Sequence, residues 1–243
     1  MLNRFQTAVD FVYPPQCLCC GALVDTAFAL CPLCWRDAHF ITGLVCDLCG
    51  TSLPGEADPH GPVHCDDCLT IARPWLRARA VFRYGDTARR LLLALKHGDR
   101  LDIVRPAANW LTQAARPLIQ PGMVVAPVPL HWTRLLMRRY NQSALLSAGF
   151  AARNGLRHCP DLMTRHRRTP SLDGASRDAR FAILQDAITV LPSRRRHIAG
   201  KHVLIVDDVM TSGATFAACT EACLAAGAAQ VSVLALARVA KQA

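Results

Sequence analysis

The fold of this chain is decided by one stretch of sequence, Val203-Leu-Ile-Val-Asp-Asp-Val-Met-Thr-Ser-Gly-Ala-Thr215. Its first residues are continuously apolar, which is typical of a strand buried on both faces of a parallel sheet. Two carboxylates, Asp207 and Asp208, follow at the carboxyl end of that strand, where open α/β sheets bind their ligands. A short turn then opens a predicted helix. The stretch therefore predicts both an α/β fold and a ligand site.

The turn after the two carboxylates suits a phosphate group. The unpaired N–H groups at the start of a helix attract anions, and the helix dipole adds to this attraction. Glycine in the turn allows the backbone to approach the ligand closely. The carboxylates suit the hydroxyls of an adjoining ribose, or a magnesium ion bound to them. We expect a ribose 5-phosphate site made of Asp207, Asp208, Thr211, Ser212, Gly213, Ala214 and Thr215.

Other proteins also place aspartates at the end of a buried strand. A Walker B segment and a response-regulator sheet both do so, but neither predicts T-S-G-A-T immediately downstream. The chain also has no Walker A sequence, G-x-x-x-x-G-K-[ST], to accompany a Walker B segment. The sugar-phosphate interpretation is therefore preferred.

Strands and helices alternate on both sides of this stretch. Apolar and alternating patterns predict strands at 77–84, 123–130, 202–206 and 230–237, and helical patterns predict helices at 87–96, 104–115, 142–154 and 213–226. The segment 161–196 looks irregular, with one strand within 181–191. This alternation predicts a parallel sheet with helices on both faces.

The N-terminal part of the chain carries four C-x-x-C pairs. Two pairs can supply the four thiolates that zinc prefers, and consecutive pairing gives two sites. Cys19 could replace Cys20, His60 or His64 could replace a cysteine of the last pair, and interleaved pairing stays open. We expect two structural zinc ions, held by Cys17, Cys20, Cys31 and Cys34 and by Cys46, Cys49, Cys65 and Cys68.

Charge divides the chain as the cysteines do. Residues 1–72 hold 2 basic and 8 acidic residues, whereas residues 73–243 hold 26 basic and 10 acidic residues. Most of the basic residues are arginines. We expect a cysteine-rich module at 1–72 and an α/β domain at 73–243. An acidic module repels phosphate backbones, so any contact with nucleic acid should use the arginines of the second domain. The chain shows no membrane span and no convincing signal peptide, so a cytoplasmic location is expected.

Several further motifs accompany the central stretch: the cysteine pairs, a Tyr84…Leu95-Lys96 segment, an apolar strand rich in proline, and an element running from Arg134 to Ser143. Together they resemble the ComF/GntX group of competence and DNA-utilisation proteins, which have a type I phosphoribosyltransferase domain. The resemblance implies binding of phosphoribosyl pyrophosphate (PRPP) with Mg²⁺. It also implies that the pyrophosphate is held by Lys96, Arg134, Arg138, Arg139, Asn141 and Gln142.

Alternatives remain for those pyrophosphate residues. Arg134 and Arg138 are spaced to share one helical face, which a solvated basic surface would also explain. Lys96 would also be unremarkable as a surface lysine. Two departures from the family pattern bear on turnover. Thr211 stands where hypoxanthine-type enzymes have an aspartate that acts as the general base. Leu172 and Ile183 stand where the family tends to have Gln and Asn.

Three functions are compatible with these motifs. The first is a PRPP-binding protein of DNA uptake or use, which would contact single-stranded DNA through arginines 165, 167 and 168 and 194–196. The DNA-uptake machinery would be a further partner. The second is an active phosphoribosyltransferase with an acceptor that the sequence does not name. The third is a non-catalytic sensor in which PRPP changes the binding of a partner.

Overall fold

A five-stranded parallel sheet forms the centre of the molecule. The computed structural model describes residues 13–55, 61–167, 177–184 and 186–239. The strand order in the sheet is β1-β7-β6-β2-β3. Its strands are β1 (Ala78–Arg83), β2 (Val124–Pro127), β3 (Arg157–His158), β6 (His202–Met210) and β7 (Gln230–Arg238).

Helices cover the sheet on both faces, because the central strand presents apolar side chains on each of its two faces. Leu204 and Val206 of β6 pack in one core cluster, and Val203 and Ile205 pack in another on the opposite face. The first cluster is completed by helices α3 (Asp86–His97), α4 (Val104–Ala115) and α6 (Gln142–Arg153), and the second by α8 (Ala214–Ala225). The predicted fold class is therefore confirmed.

The order of the strands creates a crevice at one end of the sheet. From β2 the chain passes through α5 (Trp132–Arg138) and α6 to β3 at one edge of the sheet. From β6 it passes through α8 to β7, in the opposite direction across the sheet. Loops that diverge in this way leave a crevice between the carboxyl ends of β2 and β6, which is where open α/β sheets bind ligands.

A smaller antiparallel pair lies beside the main sheet. It consists of β4 (Met163–Arg165) and β5 (Ile188–Val190). The helix α7 (Arg177–Leu184) lies between these two strands in the chain. The strand predicted within 181–191 is β5, whereas the helix α7 and the strand β4 were not predicted in this segment. Two short 3₁₀ segments, Leu101–Ile103 and Pro192–His197, complete the elements. Leu172 and Arg168 lie outside the described residues.

The cysteine-rich segment packs against β1. It contains helices α1 (Pro32–Arg36) and α2 (Asp66–Thr70) and two isolated bridges, one in each half. Ile41 donates its amide to the carbonyl of Val81 at 2.8 Å, and Phe40 pairs with Phe82 in an antiparallel bridge. Among the described helices, none is both long enough and apolar enough to cross a bilayer.

Candidate functional site

Two adjacent carboxylates mark the carboxyl end of the central strand. Asp208 is buried, and its Oδ2 lies 2.8 Å from the ammonium of Lys96 in the last turn of α3. Asp207 accepts a hydrogen bond from the hydroxyl of Ser143 at 2.6 Å and one from the amide of Asp208 at 2.9 Å. The acid pair therefore joins β6 to the end of α3 and the start of α6, on the crevice side of the sheet.

The first of the two acids, Asp207, gives up its proton less readily than an ordinary aspartate. Burial and the neighbouring charge of Asp208 raise the pKa of Asp207 to about 7, against the opposing hydrogen bond from Ser143 and the charge of Lys96. Two carboxylates this close cannot both ionise freely, because each charge disfavours the other. Near neutral pH, Asp207 is therefore poised between a hydrogen-bond donor and an acceptor, both of which can bind a sugar hydroxyl.

Two side-chain amides lie at the start of α6, and only the first of them forms hydrogen bonds with described residues. Asn141 caps the helix by accepting from the amide of Ser143 at 3.0 Å, and its Nδ2 donates to the carbonyl of Val128 at 3.0 Å. Its side chain is therefore committed to positioning α6 against the end of β2. Gln142 is 2 % exposed, and its Nε2 has no partner among the described residues. A buried donor left unpaired costs roughly 1–3 kcal/mol, so a ligand oxygen here would be stabilising.

The turn between β6 and α8 presents a row of backbone amides. The carbonyls of Met210 and Thr211 accept from the guanidinium of Arg238 at 3.2 and 2.6 Å, and the carbonyl of Ser212 accepts from Arg73 at 2.7 Å. In a trans peptide the N–H points opposite to the C=O, so the next three amides point away from both arginines. None of these amides, of residues 211, 212 and 213, donates to a described backbone carbonyl or side chain.

The conformation of this turn requires glycine. Gly213 is the N-cap of α8 and has a φ of +86°. A Cβ at this position would lie 2.9 Å from the ring of Trp75 and 3.0 Å from Arg73. Successive amides that face one way make an anion-binding concavity, which the N-terminus of the following helix reinforces.

The predicted pyrophosphate arginines lie on or just after α5. Arg134 is half-buried and its charge lowers the pKa of Arg165, after the larger effect of burial. Because Asp207 opposes that shift, Arg134, Arg165 and Asp207 share one neighbourhood. Arg138 is half-buried and Arg139 is exposed, with a left-handed φ of 65° at the C-cap of α5. The hydroxyl of Tyr140 donates to the carbonyl of Leu95 at 2.5 Å and anchors this segment beside Lys96.

Two sets of four cysteines are brought together in consecutive pairs. In each set, the four sulfurs lie within 4.8 Å of one another. A tetrahedron with Zn–S bonds near 2.3 Å has edges of about 3.8 Å. The measured Sγ–Sγ distances are 3.7 Å between Cys20 and Cys31 and 3.6 Å between Cys49 and Cys65. Both sets therefore fit zinc. Neither set includes Cys19 or His64, and His60 lies outside the described residues.

The four thiols of the second set strongly affect one another's ionisation. Hydrogen bonds from Cys49 and Cys68 lower the pKa of Cys46, whereas interactions with Cys46 and Cys49 raise the pKa of Cys68. The crowded sulfurs thus compete for negative charge. A divalent cation between them removes that competition, because it stabilises every thiolate at once.

Some residues of this region were not found by sequence reasoning. Ser143 was visible in the Asn-Gln-Ser run but was not assigned a contact. Arg165 was grouped with an exposed arginine track, but it is 6 % exposed and lies beside Asp207, so a surface track through it was wrong. Arg73 and Arg238 gave no local signal, because each contacts the turn across a long sequence separation.

Comparisons with known proteins agree with this architecture. The chain matches a double zinc ribbon domain over residues 8–69 and a phosphoribosyl transferase domain over residues 161–243. DNA utilization protein YhgH of Salmonella typhimurium is 33% identical over 229 residues, covering 91% of this chain and 95% of that protein. The chain belongs to the ComF/GntX family. Competence protein F of Haemophilus influenzae, another relative, is 26% identical over 92% of this chain and 96% of its own length.

Solved structures similar to this ComF/GntX chain include an amidotransferase and an adenine phosphoribosyltransferase. The glutamine PRPP amidotransferase of B. subtilis is 17% identical, with a TM-score of 0.39 over 59% of this chain and 30% of that one. An adenine phosphoribosyltransferase from Thermoanaerobacter pseudethanolicus is 15% identical, with a TM-score of 0.37 over 61% of this chain and 86% of that one.

Proposed function

We propose that this ComF/GntX protein binds PRPP in the crevice and acts in the uptake or use of DNA. The observation that carries the proposal is the row of three amides, 211 to 213, that donate to no residue the structure describes and that follow the acid pair of β6 in the turn. The amides and hydroxyls of this turn would hold the 5′-phosphate of PRPP. Asp207 and Asp208 would bind the ribose hydroxyls. The role in DNA is carried over from the names of the relatives.

Cationic and amide groups on the other side of the acid pair suit the pyrophosphate. The charges of Arg134 and Asp207 both act on Arg165, and Gln142 carries the buried amide that has no described partner. Lys96, bound to Asp208 in the free protein, can instead approach a pyrophosphate oxygen once Asp208 binds the ribose. Carboxylate oxygens are also ligands that Mg²⁺ prefers. A Mg²⁺ bound with PRPP would neutralise part of the pyrophosphate charge.

Calorimetric titration with Mg²⁺–PRPP tests the binding proposal. The wild type should bind, and Asp208→Asn should weaken binding by about tenfold or more, because a charge-assisted hydrogen bond contributes about 1.5–3 kcal/mol. Asp161→Asn is the matched control, since Asp161 is an exposed partner of Arg194 outside the crevice. No heat of binding with a folded, zinc-loaded wild type would overturn the proposal.

Turnover is tested separately in the same samples. Pyrophosphate released from PRPP should be followed with and without added nucleobases. Acceptor-dependent release that is abolished in Asp207→Asn would identify a transferase. Binding without release, together with altered binding of a partner, would identify a sensor.

We also propose that single-stranded DNA binds along α5. This helix has no buried residue, its Trp132 is 63% exposed, and Arg134, Arg138 and Arg139 follow Trp132 in the same short segment. An exposed aromatic ring can stack on a base, and arginines of the same segment can contact phosphates. The arginines 194–196, which were also expected to contact DNA, are weaker candidates, because Arg194 is already paired with Asp161.

Fluorescence anisotropy with a labelled thymidine oligonucleotide tests this second proposal. Binding should weaken steeply with salt, and Trp132→Ala should weaken it by about tenfold, since stacking on one aromatic contributes about 1–3 kcal/mol per base. Leu224→Ala is the control, because Leu224 is an exposed apolar residue on the distant helix α8. Equal losses in both variants would count against α5.

A further inference from the structure

Three side chains connect the second cysteine set to the turn that presents the amides. Arg238 donates from Nε to the carbonyl of Cys49 at 3.1 Å and from Nη1 to the carbonyls of Met210 and Thr211. Arg238 is 6 % exposed, so these bonds form where water does not compete. One buried guanidinium thus links a metal knuckle to two carbonyls of the turn.

Arg73 makes a second link between the same two regions. Its Nη1 donates to the carbonyl of Ser212 at 2.7 Å, and its guanidinium also interacts with the sulfur of Cys68. It lies over the ring of Trp75, 5.5 Å from the ring centre. The position of Arg73 therefore depends on both a zinc ligand and a packed aromatic ring.

Trp75 makes the third link. Its indole N–H donates to the carbonyl of Leu48, which lies between two ligands of the second set, at 2.7 Å. The opposite edge of the ring occupies the space in which a Cβ of Gly213 would lie. Trp75 is 3 % exposed and packs edge-on against Phe216 in the first turn of α8. All three links thus begin at the second cysteine set and end at the turn.

We propose that Arg73, Trp75 and Arg238 are positioning residues through which the second zinc site sets the affinity of the turn for ribose phosphate. Zinc fixes the carbonyls of residues 48 and 49 and the Cys68 sulfur. These in turn hold the arginines that fix the carbonyls of residues 210–212. Because peptide units are planar, the amides of residues 211–213 are aligned by the same contacts. The inference rests on the proposed PRPP site.

The first cysteine set has different surroundings. Cys17, Cys31 and Cys34 belong to the core cluster that includes α3 and α4, on the other face of the sheet from α8. Within the described residues, no hydrogen bond or ring contact connects this set to the turn. Loss of zinc from the first set should therefore leave the affinity for ribose phosphate nearly unchanged.

Reciprocity gives the coupling a second readout. If zinc at the second site strengthens binding of PRPP, PRPP must strengthen retention of that zinc by the same factor. Saturating Mg²⁺–PRPP should therefore slow the chelator-driven release of one zinc per chain and leave the other unaffected. Arg73→Ala should abolish this protection.

Matched variants test the coupling in the full-length, zinc-loaded protein. Cys65→Ser and Cys20→Ser each remove the most exposed ligand of one set, and zinc analysis should find one ion left in each variant. Cys65→Ser should weaken Mg²⁺–PRPP binding by about tenfold or more, and Cys20→Ser by less than about twofold. Arg73→Ala should weaken binding as Cys65→Ser does. Arg79→Ala should not, because Arg79 contacts the ribbon at Asp47 and not the turn.

Hydrogen exchange of the 207–216 peptide, measured without PRPP, completes the test. It should quicken in Cys65→Ser and Arg73→Ala but not in Cys20→Ser or Arg79→Ala. If the wild type binds PRPP but all four variants bind equally, the coupling is wrong and the proposed function stands. If the wild type does not bind PRPP, the proposed function fails. In that case the hydrogen-exchange rates alone test the coupling between the second cysteine set and the turn. Equal rates in all four variants would overturn the coupling.

Discussion

The ammonium of Lys96 and the carboxylate of Asp208 lie 2.8 Å apart, joining the last turn of α3 to the carboxyl end of the central strand. Both side chains are largely shielded from solvent, with 23% and 11% of their surfaces exposed. The pair thus ties the helix α3 to the carboxyl end of β6, and each buried charge has the other as its partner.

Replacing Lys96 by methionine should destabilise the protein, because it leaves Asp208 buried without its cation. The expected loss in the free energy of unfolding is roughly 2 kcal/mol, measured by chemical denaturation. The double variant Lys96→Met/Asp208→Asn should recover part of that stability but not the affinity for Mg²⁺–PRPP. Recovery of affinity in the double variant would contradict the role given to Asp208.

The stability contribution of Asp207 should decrease as pH rises. Its pKa in the folded protein, about 7, lies above the ordinary value of 3.8, so the folded state holds the proton more tightly than the unfolded state. The contribution is fully present below about pH 4 and is lost as pH rises through 7. Between pH 5 and 7, the loss is about 2 kcal/mol, because the slope of 1.36 kcal/mol per pH unit falls off as pH approaches the folded pKa.

Denaturation of the wild type and of Asp207→Asn at a series of pH values measures this loss. The difference between the two unfolding free energies isolates Asp207 from the titrating cysteines. The wild type should lose stability relative to the variant from pH 5 to pH 7. A constant difference across that range would show that Asp207 ionises normally.

Gly213→Ala should disturb the turn twice, through its backbone and through its neighbours. A φ of +86° strains an alanine, and its Cβ would lie 2.9 Å from Trp75. We expect a loss of about 1–3 kcal/mol in stability and weaker binding of Mg²⁺–PRPP. Gly200→Ala is the control, because Gly200 has a φ of +67° with open space around it. The control should lose stability only, and equal effects on binding would argue against the turn.

The purified protein should contain two zinc ions per chain, as measured by mass spectrometry of the metal. Cys46→Ser and Cys17→Ser should each retain one, since each removes a ligand from one set. Cys19→Ser should retain both, because Cys19 lies in the first knuckle but outside the set. Loss of a zinc in the Cys19 variant would reassign the ligand.

Local patterns predicted the parts of this molecule that local sequence determines. The strand and turn around Asp207 were predicted because an apolar run and a glycine-containing turn are specified within a dozen residues. The cysteine sets were predicted because each knuckle spans only four residues. The strand β6 is longer than predicted, since it continues through Asp207 and Asp208 to Met210.

The contacts that orient the turn depend on the tertiary fold, which local sequence does not reveal. Arg73 is 139 residues away from Ser212 in the chain, and Arg238 is 189 residues away from Cys49. No periodicity or spacing connects residues so far apart. Arg165 was misjudged for the same reason, because an arginine in a run of basic residues looks exposed until the sheet that buries it is known.

The place of β7 in the sheet has a consequence for biosynthesis. The last described strand is inserted between β1 and β6, so β1 has no neighbour in the sheet and one edge of β6 is unpaired until the ribosome has made residues 230–238. A nascent chain lacking them exposes two unpaired apolar strand edges, which favour aggregation. Premature termination even a few residues before Gln230 should therefore yield insoluble product, whereas the cysteine knuckles, completed early, can already hold their metal.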